Sequence, residues 1–203
     1  MIEFHPSATA ASFPVRERRA LFGGTFDPVH RGHLAMATAA RDAVGLSRVI
    51  FLPCFVSPFK NTAQADPEER LAMLELALNE LDGDWAEASD YELKRPGPSY
   101  SWETAHHFAE VFPQIDWYWI LGTDQWEQIE AWAEPERLRL DLHFLVCTRE
   151  GTPVRKRAGW RATALDFDHP ASASAIRNDW SLAREWVTPA VRRYAEERRI
   201  YGS

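Results

Sequence analysis

Arg19-Ala20-Leu21-Phe22-Gly23-Gly24-Thr25-Phe26-Asp27-Pro28-Val29-His30-Arg31-Gly32-His33-Leu34 is the stretch from which the rest of the chain can be read. Arg19 to Phe22 has the composition of a short strand, and Gly23-Gly24 ends it. A loop follows, then an alanine-rich helix from about His33 to Val44, with Gly45 placed to cap it. A strand that turns through glycines into a helix is the first half of a βαβ unit. The pattern then repeats. Arg48 to Leu52 is a second strand stopped by Pro53, and Cys54 to Ala65 is a loop without period, expected to be mobile. Asp66-Pro67-Glu68-Glu69 starts a helix, with an acid at the cap, proline in the first turn and a glutamate three residues on; Leu71, Leu74 and Leu78 share a face behind it. Glu87 to Leu93 is expected to be extended, Pro96-Gly97-Pro98 is a turn, and Tyr100 to Val111 is helical. Trp117 to Leu121 and His143 to Cys147 are buried-type strands. Gly151 to Arg161 reads as a basic, solvated loop, Ala162 to Phe167 as a further short strand, and two short helices follow Ser172 and Pro189. Strands alternating with helices predict an α/β fold: one doubly wound, Rossmann-like parallel sheet.

At 203 residues the chain corresponds to one domain. The expected domain is 19–203, with residues 1–18 as a disordered leader that lacks the continuous apolar run of a secretory signal. Asp plus Glu exceed Lys plus Arg by 30 to 23, and the resulting charge of −7 argues against a non-specific nucleic-acid binder. A local basic pocket for a phosphate ligand is still compatible with it. No apolar run is long enough to span a membrane. The two cysteines, Cys54 and Cys147, lie far apart in apolar contexts, which predicts buried free thiols and a cytoplasmic location.

The chemistry centres on Gly24 to His33. This segment sits at the carboxyl end of the first strand, where open α/β sheets bind ligands. The glycines let backbone approach a ligand, and the helix start offers unpaired N–H groups to an anion. His30 and His33 flank Gly32 and can both donate to phosphate oxygens. A P-loop string and a dinucleotide G-x-G-x-x-G string are both absent, and no nearby Cys or third His completes a zinc site with His30 and His33.

The string resembles the signature of the nucleotidyltransferase superfamily that carries a (T/H)-x-G-H motif, and the chain from about Arg19 to Tyr201 resembles the bacterial nicotinate-mononucleotide adenylyltransferase family within it. Ser57-Pro58-Phe59-Lys60 stands at that family's P-P-H-K loop, and Arg70-Leu71-Ala72-Met73-Leu74 at its following helix. Leu93-Lys94-Arg95, Gly97 and Ser99-Tyr100-Ser101 match its E-L-x-R-x-G-x-S-Y-T segment. Leu121-Gly122-Thr123-Asp124 matches I-G-A-D, with Trp132 at the family spacing beyond it, and Ser172 to Arg177 matches S-S-T-x-I-R. The chain departs from the pattern at Phe59 (family histidine), Glu103 (aspartate), Thr123 (alanine), Ala173 (serine) and Ser174 (threonine).

The resemblance implies transfer of AMP from ATP to nicotinate mononucleotide, with Mg²⁺ accompanying the ATP. It implies that His33 and His30 contact the ATP phosphates, that Gly24 and Thr25 hold the incoming phosphate, and that Arg177 and Ser174, at a second helix start, grip the β- and γ-phosphates. Lys60 would reach the triphosphate from its loop. Gly122 and Asp124 would serve the nucleotide, Asp124 by accepting from a ribose hydroxyl. Ser99, Tyr100, Ser101, Thr25 and Trp132 would take the mononucleotide, with Trp132 against the pyridine ring. Helix-start amides between Pro98 and Ser101, with no Asp or Glu in that stretch, would favour an acid over an amide. Trp117 and Trp119 are expected in the core, Asp27 in a structural role at its turn, and Ser174 at a helix cap. The rival acceptors are nicotinamide mononucleotide and phosphopantetheine; a non-catalytic nucleotide-binding regulator is the rival from another class. A homo-oligomer is compatible with the sequence.

Overall fold

In the computed structural model, which describes residues 16–59, 63–148 and 153–202, each apolar run becomes a strand. β1 (Arg18–Gly24) leads into α1 (Arg31–Val44), and β2 (Arg48–Pro53) into α2 (Pro67–Leu78). A short β3 (Ala86–Ala88) precedes α3 (Ser101–Val111). β4 (Asp116–Gly122) is followed by α4 (Thr123–Glu127), a 3₁₀ turn and α5 (Pro135–Asp141). β5 (His143–Thr148) and β6 (Ala162–Asp166) complete the sheet, and α6 (Ala173–Asn178), α7 (Ala183–Trp186) and α8 (Pro189–Arg198) follow. All neighbouring strands are parallel, in the order β3-β2-β1-β4-β5-β6. This is the single-domain, Rossmann-like α/β fold expected from the sequence.

The strands are apolar throughout because both faces of the sheet are covered. Ala20, Phe22, Val49, Phe51, Ile120 and Leu145 point to the face that packs against α1, α2 and α8. Their alternates Leu21, Ile50, Leu52, Trp119, Leu121 and Phe144 point to the face that holds Ala105 and Phe108 of α3, Trp126 of α4 and Leu138 of α5. Trp117 and Trp119 are core residues, as expected.

Strand order reverses between β1 and β4, and there the sheet splits. β1 stays paired with β2 as far as Gly24↔Pro53. Its pairing with β4 ends at Leu21↔Trp119, so the carboxyl ends of β1 and β4 diverge. This crevice is where such sheets bind ligands.

Several expectations are corrected. The leader boundary falls inside the fold: Arg18 opens β1 and the Glu17 carbonyl accepts from the Asp116 N–H at 2.9 Å; residues 1–15 lie outside the described residues. The extended stretch from Glu87 to Leu93 shrinks to β3, because its partner β2 ends at Pro53, which has no N–H to continue the ladder. The first helix begins at Arg31, with His30 as its cap. The basic stretch is not wholly solvated. Arg157 is buried, its guanidinium 5.3 Å from the Trp126 ring centroid and donating to the Glu127 carbonyl. A flat, weakly hydrated guanidinium can lie on an indole where a lysine would stay in water.

Candidate active site

The β1–α1 turn is shaped by packing before any ligand is considered. A Cβ on Gly23 would sit 2.7 Å from the Trp119 ring, and one on Gly24 would meet the Phe26 ring at 3.0 Å. Both glycines are therefore demanded by aromatic neighbours, not only by a ligand as the sequence suggested. Phe26 adopts φ +50, a left-handed conformation that costs a non-glycine residue on the order of 1 kcal/mol or more. Its ring offsets this by filling an aromatic pocket between Phe22, Phe51 and His33. The Asp27–Pro28 peptide is cis.

His30 then caps α1, and His33 sits three residues on. The His33 Nδ1 accepts from the His30 backbone N–H at 3.2 Å, which assigns the proton of a neutral ring to Nε2. The two imidazoles stack at 3.7 Å between centroids. Gly32 makes room for this, because a Cβ there would meet the His30 ring at 3.0 Å. The result is a helix start with two imidazole rings fixed beside it.

Arg177 reaches this turn from α6. Its Nη1 donates to the Asp27 carbonyl at 2.5 Å, and its Nε lies 3.9 Å from Asp27 Oδ2. The structure thus brings together His30, His33 and Arg177 from opposite ends of the sequence. Ser174 is exposed in the first turn of α6. The cap is Ser172, whose hydroxyl accepts from Ala175 N–H; Ser174 Oγ lies 2.9 Å from Ser172 Oγ. The expectation of Ser174 at the cap is corrected by two residues, leaving its hydroxyl at the helix mouth.

Asp27 is the centre of the turn. Its buried carboxylate accepts from the Gln64 and Ala65 N–H groups and from the Tyr201 hydroxyl. Arg70 does the complementary work with donors. It is 1% exposed, and its guanidinium donates to the carbonyls of Ala65, Thr25 and Phe55. One side chain thereby ties the β1–α1 turn to both described ends of the loop between β2 and α2. That loop is anchored where it leaves the sheet and where it enters α2; Lys60 lies outside the described residues. The sequence reading gave Arg70 and Tyr201 no role. Arg70 did leave a signal, because it sits on the same face of α2 as Met73, Leu74 and Ala77, where an arginine has no reason to be unless its donors are used.

Across the crevice, α3 opens at Ser101 with Tyr100 as its cap, so the first amides of the helix lie between Tyr100 and Trp102. Ser99 is a clip: its hydroxyl accepts from Phe55 N–H at 3.0 Å and bonds to Glu92, while its N–H donates to the Val56 carbonyl. Glu92 also accepts from the Thr104 hydroxyl at 2.8 Å, and burial pushes its carboxyl above the ordinary range. The stretch from Pro98 to Ser101 holds no acid, as the sequence reads, but the fold brings acids from outside it to the α3 start. Glu92 is beneath it, with hydroxyl partners, and Glu103 pairs with Arg95.

Trp132 follows the 3₁₀ turn after α4. It is 9% exposed, meets Trp119 edge to face at 6.4 Å and lies 5.7 Å from the Phe59 ring. It is a packing residue with one neighbour, the half-exposed Phe59, at the surface. Gly122 and Asp124 stand at the carboxyl end of β4. Asp124 is exposed in the first turn of α4, at the crevice. Cys54 and Cys147 are both buried, Cys54 with its Sγ 3.9 Å from the Thr25 hydroxyl, and burial pushes the Cys147 thiol up to about 12.

Comparison with known proteins agrees with this arrangement. Residues 21–179 match the cytidylyltransferase-like family model. A Neisseria meningitidis protein named "Probable nicotinate-nucleotide adenylyltransferase" is 35% identical over 89% of this chain and 96% of its own length. A Synechococcus protein of the same name is 34% identical over 93% and 96%. The fold is shared with a Plasmodium falciparum nicotinic acid mononucleotide adenylyltransferase solved in complexes with APC and with NaAD. For the APC complex the TM-score is 0.75 at 17% identity, covering 91% of this chain and 97% of that one. With a turn, two helix starts and a strand-order reversal that coincide with its signature segments, the chain belongs to the nicotinate-nucleotide adenylyltransferase family of cytidylyltransferase-like proteins.

Proposed function

We propose that the protein transfers the adenylyl group of ATP to nicotinate mononucleotide. A phosphate oxygen of the mononucleotide attacks the α-phosphorus of ATP. The bond from that phosphorus to the bridging oxygen breaks, and pyrophosphate leaves with the electron pair, giving deamido-NAD. The observation that carries this reading is the joining of His33 and Arg177 through one turn, at the crevice where β1 and β4 part. The nucleophile is already an anion, so the site needs donors and positive charge more than a base.

In this reading His33 donates its Nε2 proton to an oxygen of the reacting phosphate, and His30 supports it from the cap. The Gly24 and Thr25 segment receives the incoming phosphate. Arg177 and the Ser174 hydroxyl take the β- and γ-phosphates at the mouth of α6, with Lys60 joining from its loop. Asp124 and Gly122 serve the ribose at the end of β4. The amides at Tyr100 and Ser101 face the pyridine carboxylate, Ser99 holds their turn in place, and Trp132 with Phe59 forms the apolar wall. Mg²⁺ accompanying the ATP would supply positive charge beside Arg177 and His33 and so offset the charge of the leaving pyrophosphate. The donor set here consists of imidazoles, a guanidinium and amides, which suits an ion carried by the nucleotide's own oxygens and water. Among the described residues no helix is long and apolar enough to cross a membrane, and we place the reaction in the cytoplasm.

Pyrophosphate release with ATP and three acceptors, the acid mononucleotide, the amide and phosphopantetheine, tests the assignment. Turnover is expected to be greatest with the acid. Equal or greater kcat/KM with either rival overturns it.

A further inference from the structure

We propose that Tyr201 is a positioning residue of the phosphate grip: by holding the Asp27 carboxylate, it keeps the Arg177 guanidinium available to the nucleotide. This rests on the reading that Arg177 binds ATP phosphates.

The argument is one of valence. An ionised carboxylate offers about four acceptor sites. On Oδ1 of Asp27, the Tyr201 hydroxyl donates at 2.6 Å and Ala65 N–H at 3.2 Å; on Oδ2, Gln64 N–H donates at 2.8 Å. Arg177 Nε stands off at 3.9 Å, and its Nη1 is turned to the Asp27 backbone carbonyl. The tyrosine bond is the shortest of the side-chain contacts and sets the rotation of the carboxyl group. Without it, Oδ1 would keep only the longer Ala65 bond, and the carboxyl could turn to close with the nearby guanidinium into a bidentate pair, the geometry that arginine and carboxylate prefer. A guanidinium consumed in this way has fewer donors left for phosphate.

Tyr201 is suited to this task. It is fully buried, and burial followed by the Asp27 bond drives its hydroxyl's acidity far below normal, so it remains a donor. Its ring stacks on Trp180 at 5.0 Å, which adds to the packing of the segment, while the 2.6 Å bond to Asp27 itself holds the hydroxyl in place. The next segment is tied to the same place, since Gln64 also donates from its side chain to the Ile200 carbonyl.

Tyr201→Phe keeps the stacked ring and deletes only the donor. Its dissociation constant for ATP, measured by calorimetry on the whole protein, is expected to rise about 5- to 10-fold, the effect of one hydrogen bond. In an Asp27→Asn background the same change is expected to alter ATP binding less than twofold, because the competition for Arg177 is already gone. Trp180→Leu, which loosens the ring but retains the hydroxyl, is expected to lower the melting temperature while ATP binding stays within about twofold. Unchanged ATP binding in Tyr201→Phe overturns the proposal, as does an equal loss in Trp180→Leu. Because the readout is ATP binding, wild-type binding without turnover on nicotinate mononucleotide would sink the reaction assignment and leave the test of Tyr201 intact.

Discussion

On the α1 and α6 side of the crevice, charged groups are buried and hydrogen-bonded: the Asp27 carboxylate takes three donors from two segments, and Arg70 gives donors to three carbonyls. On the α3 side the wall is aromatic, Trp119 against Trp132 against the half-exposed Phe59; Tyr100 and Ser101 stand at the rim, and the one buried acid beneath them, Glu92, is bonded by a neutral hydroxyl and not by a cation. The first side suits a ligand whose charge is fixed and whose oxygens need donors in set places. The second suits a flat ring held by an apolar wall and a few amides. Substitutions on the two sides should therefore fail differently, the first in affinity and turnover, the second in stability.

The largest effect is expected from His33→Ala. Turnover at saturating substrates should fall by about 10²- to 10⁴-fold, the range for a positioned donor, with a normal circular dichroism spectrum. Near-normal kcat would remove His33 from the reaction and weaken the contrast at its strongest point.

Trp132→Ala should break the other side. Loss of a buried indole costs about 3–5 kcal/mol, read as a fall in melting temperature, and the mononucleotide KM should rise while the ATP KM stays near wild type. The burial of Trp132 makes this a stability effect first; a stable variant would mean that the wall is built for the ligand alone.

Arg177→Ala and the two serines at α6 separate grip from scaffold. Arg177→Ala should weaken ATP by about 10- to 150-fold, from about 1.5–3 kcal/mol for a charged hydrogen bond. Ser172→Ala should cost about 1 kcal/mol of stability through the lost cap, whereas Ser174→Ala should leave stability unchanged and weaken ATP slightly. Thermal melts and ATP titrations on the three variants decide this, and a reversed order for the serines would return the cap to Ser174.

The smallest effect is a matter of pH. Burial holds the Glu92 carboxyl above its unfolded value, so the native state binds the proton more tightly than the unfolded chain. That contribution to stability is complete below the unfolded value and is lost as pH rises through the folded one. Glu92→Gln, which cannot ionise, should gain on the wild type in melting temperature as pH rises above the ordinary glutamate value of about 4.3. A difference that is flat with pH would show the carboxyl to be solvated.

The sequence carried the local signals well. Asp66-Pro67 starts α2, with the Asp66 N–H bonded to Glu69, and Gly45 caps α1 at φ +67. The alternation of βαβ units predicted the parallel sheet, and the motif falls at the edge where β1 and β4 part. What stayed hidden is non-local. Nothing near Arg70 in the chain shows that Thr25 and Phe55 will receive its protons, and nothing near Arg157 shows that Trp126 will lie beneath it. Ser172 and Ser174 compete for one cap with equal chemistry, and only the backbone path distinguishes them. Phe59 could be noted as a departure, but its contact with Trp132, some seventy positions on, appears only in the fold.

The Asp27 hub also fixes when the phosphate grip exists. Its contacts span 37, 150 and 174 positions of the chain. Closures of that length become favourable only after nearer contacts have built the sheet between them. The phosphate grip proposed above would therefore be completed late in folding, and it would depend on Ile200 and Tyr201, just beyond α8, remaining docked. An excursion that peels Ile200 and Tyr201 away releases Gln64 and Asp27 together while the strands remain paired. Competence for nucleotide and integrity of the sheet are thus separate free energies in this molecule, and the first can be lost without the second.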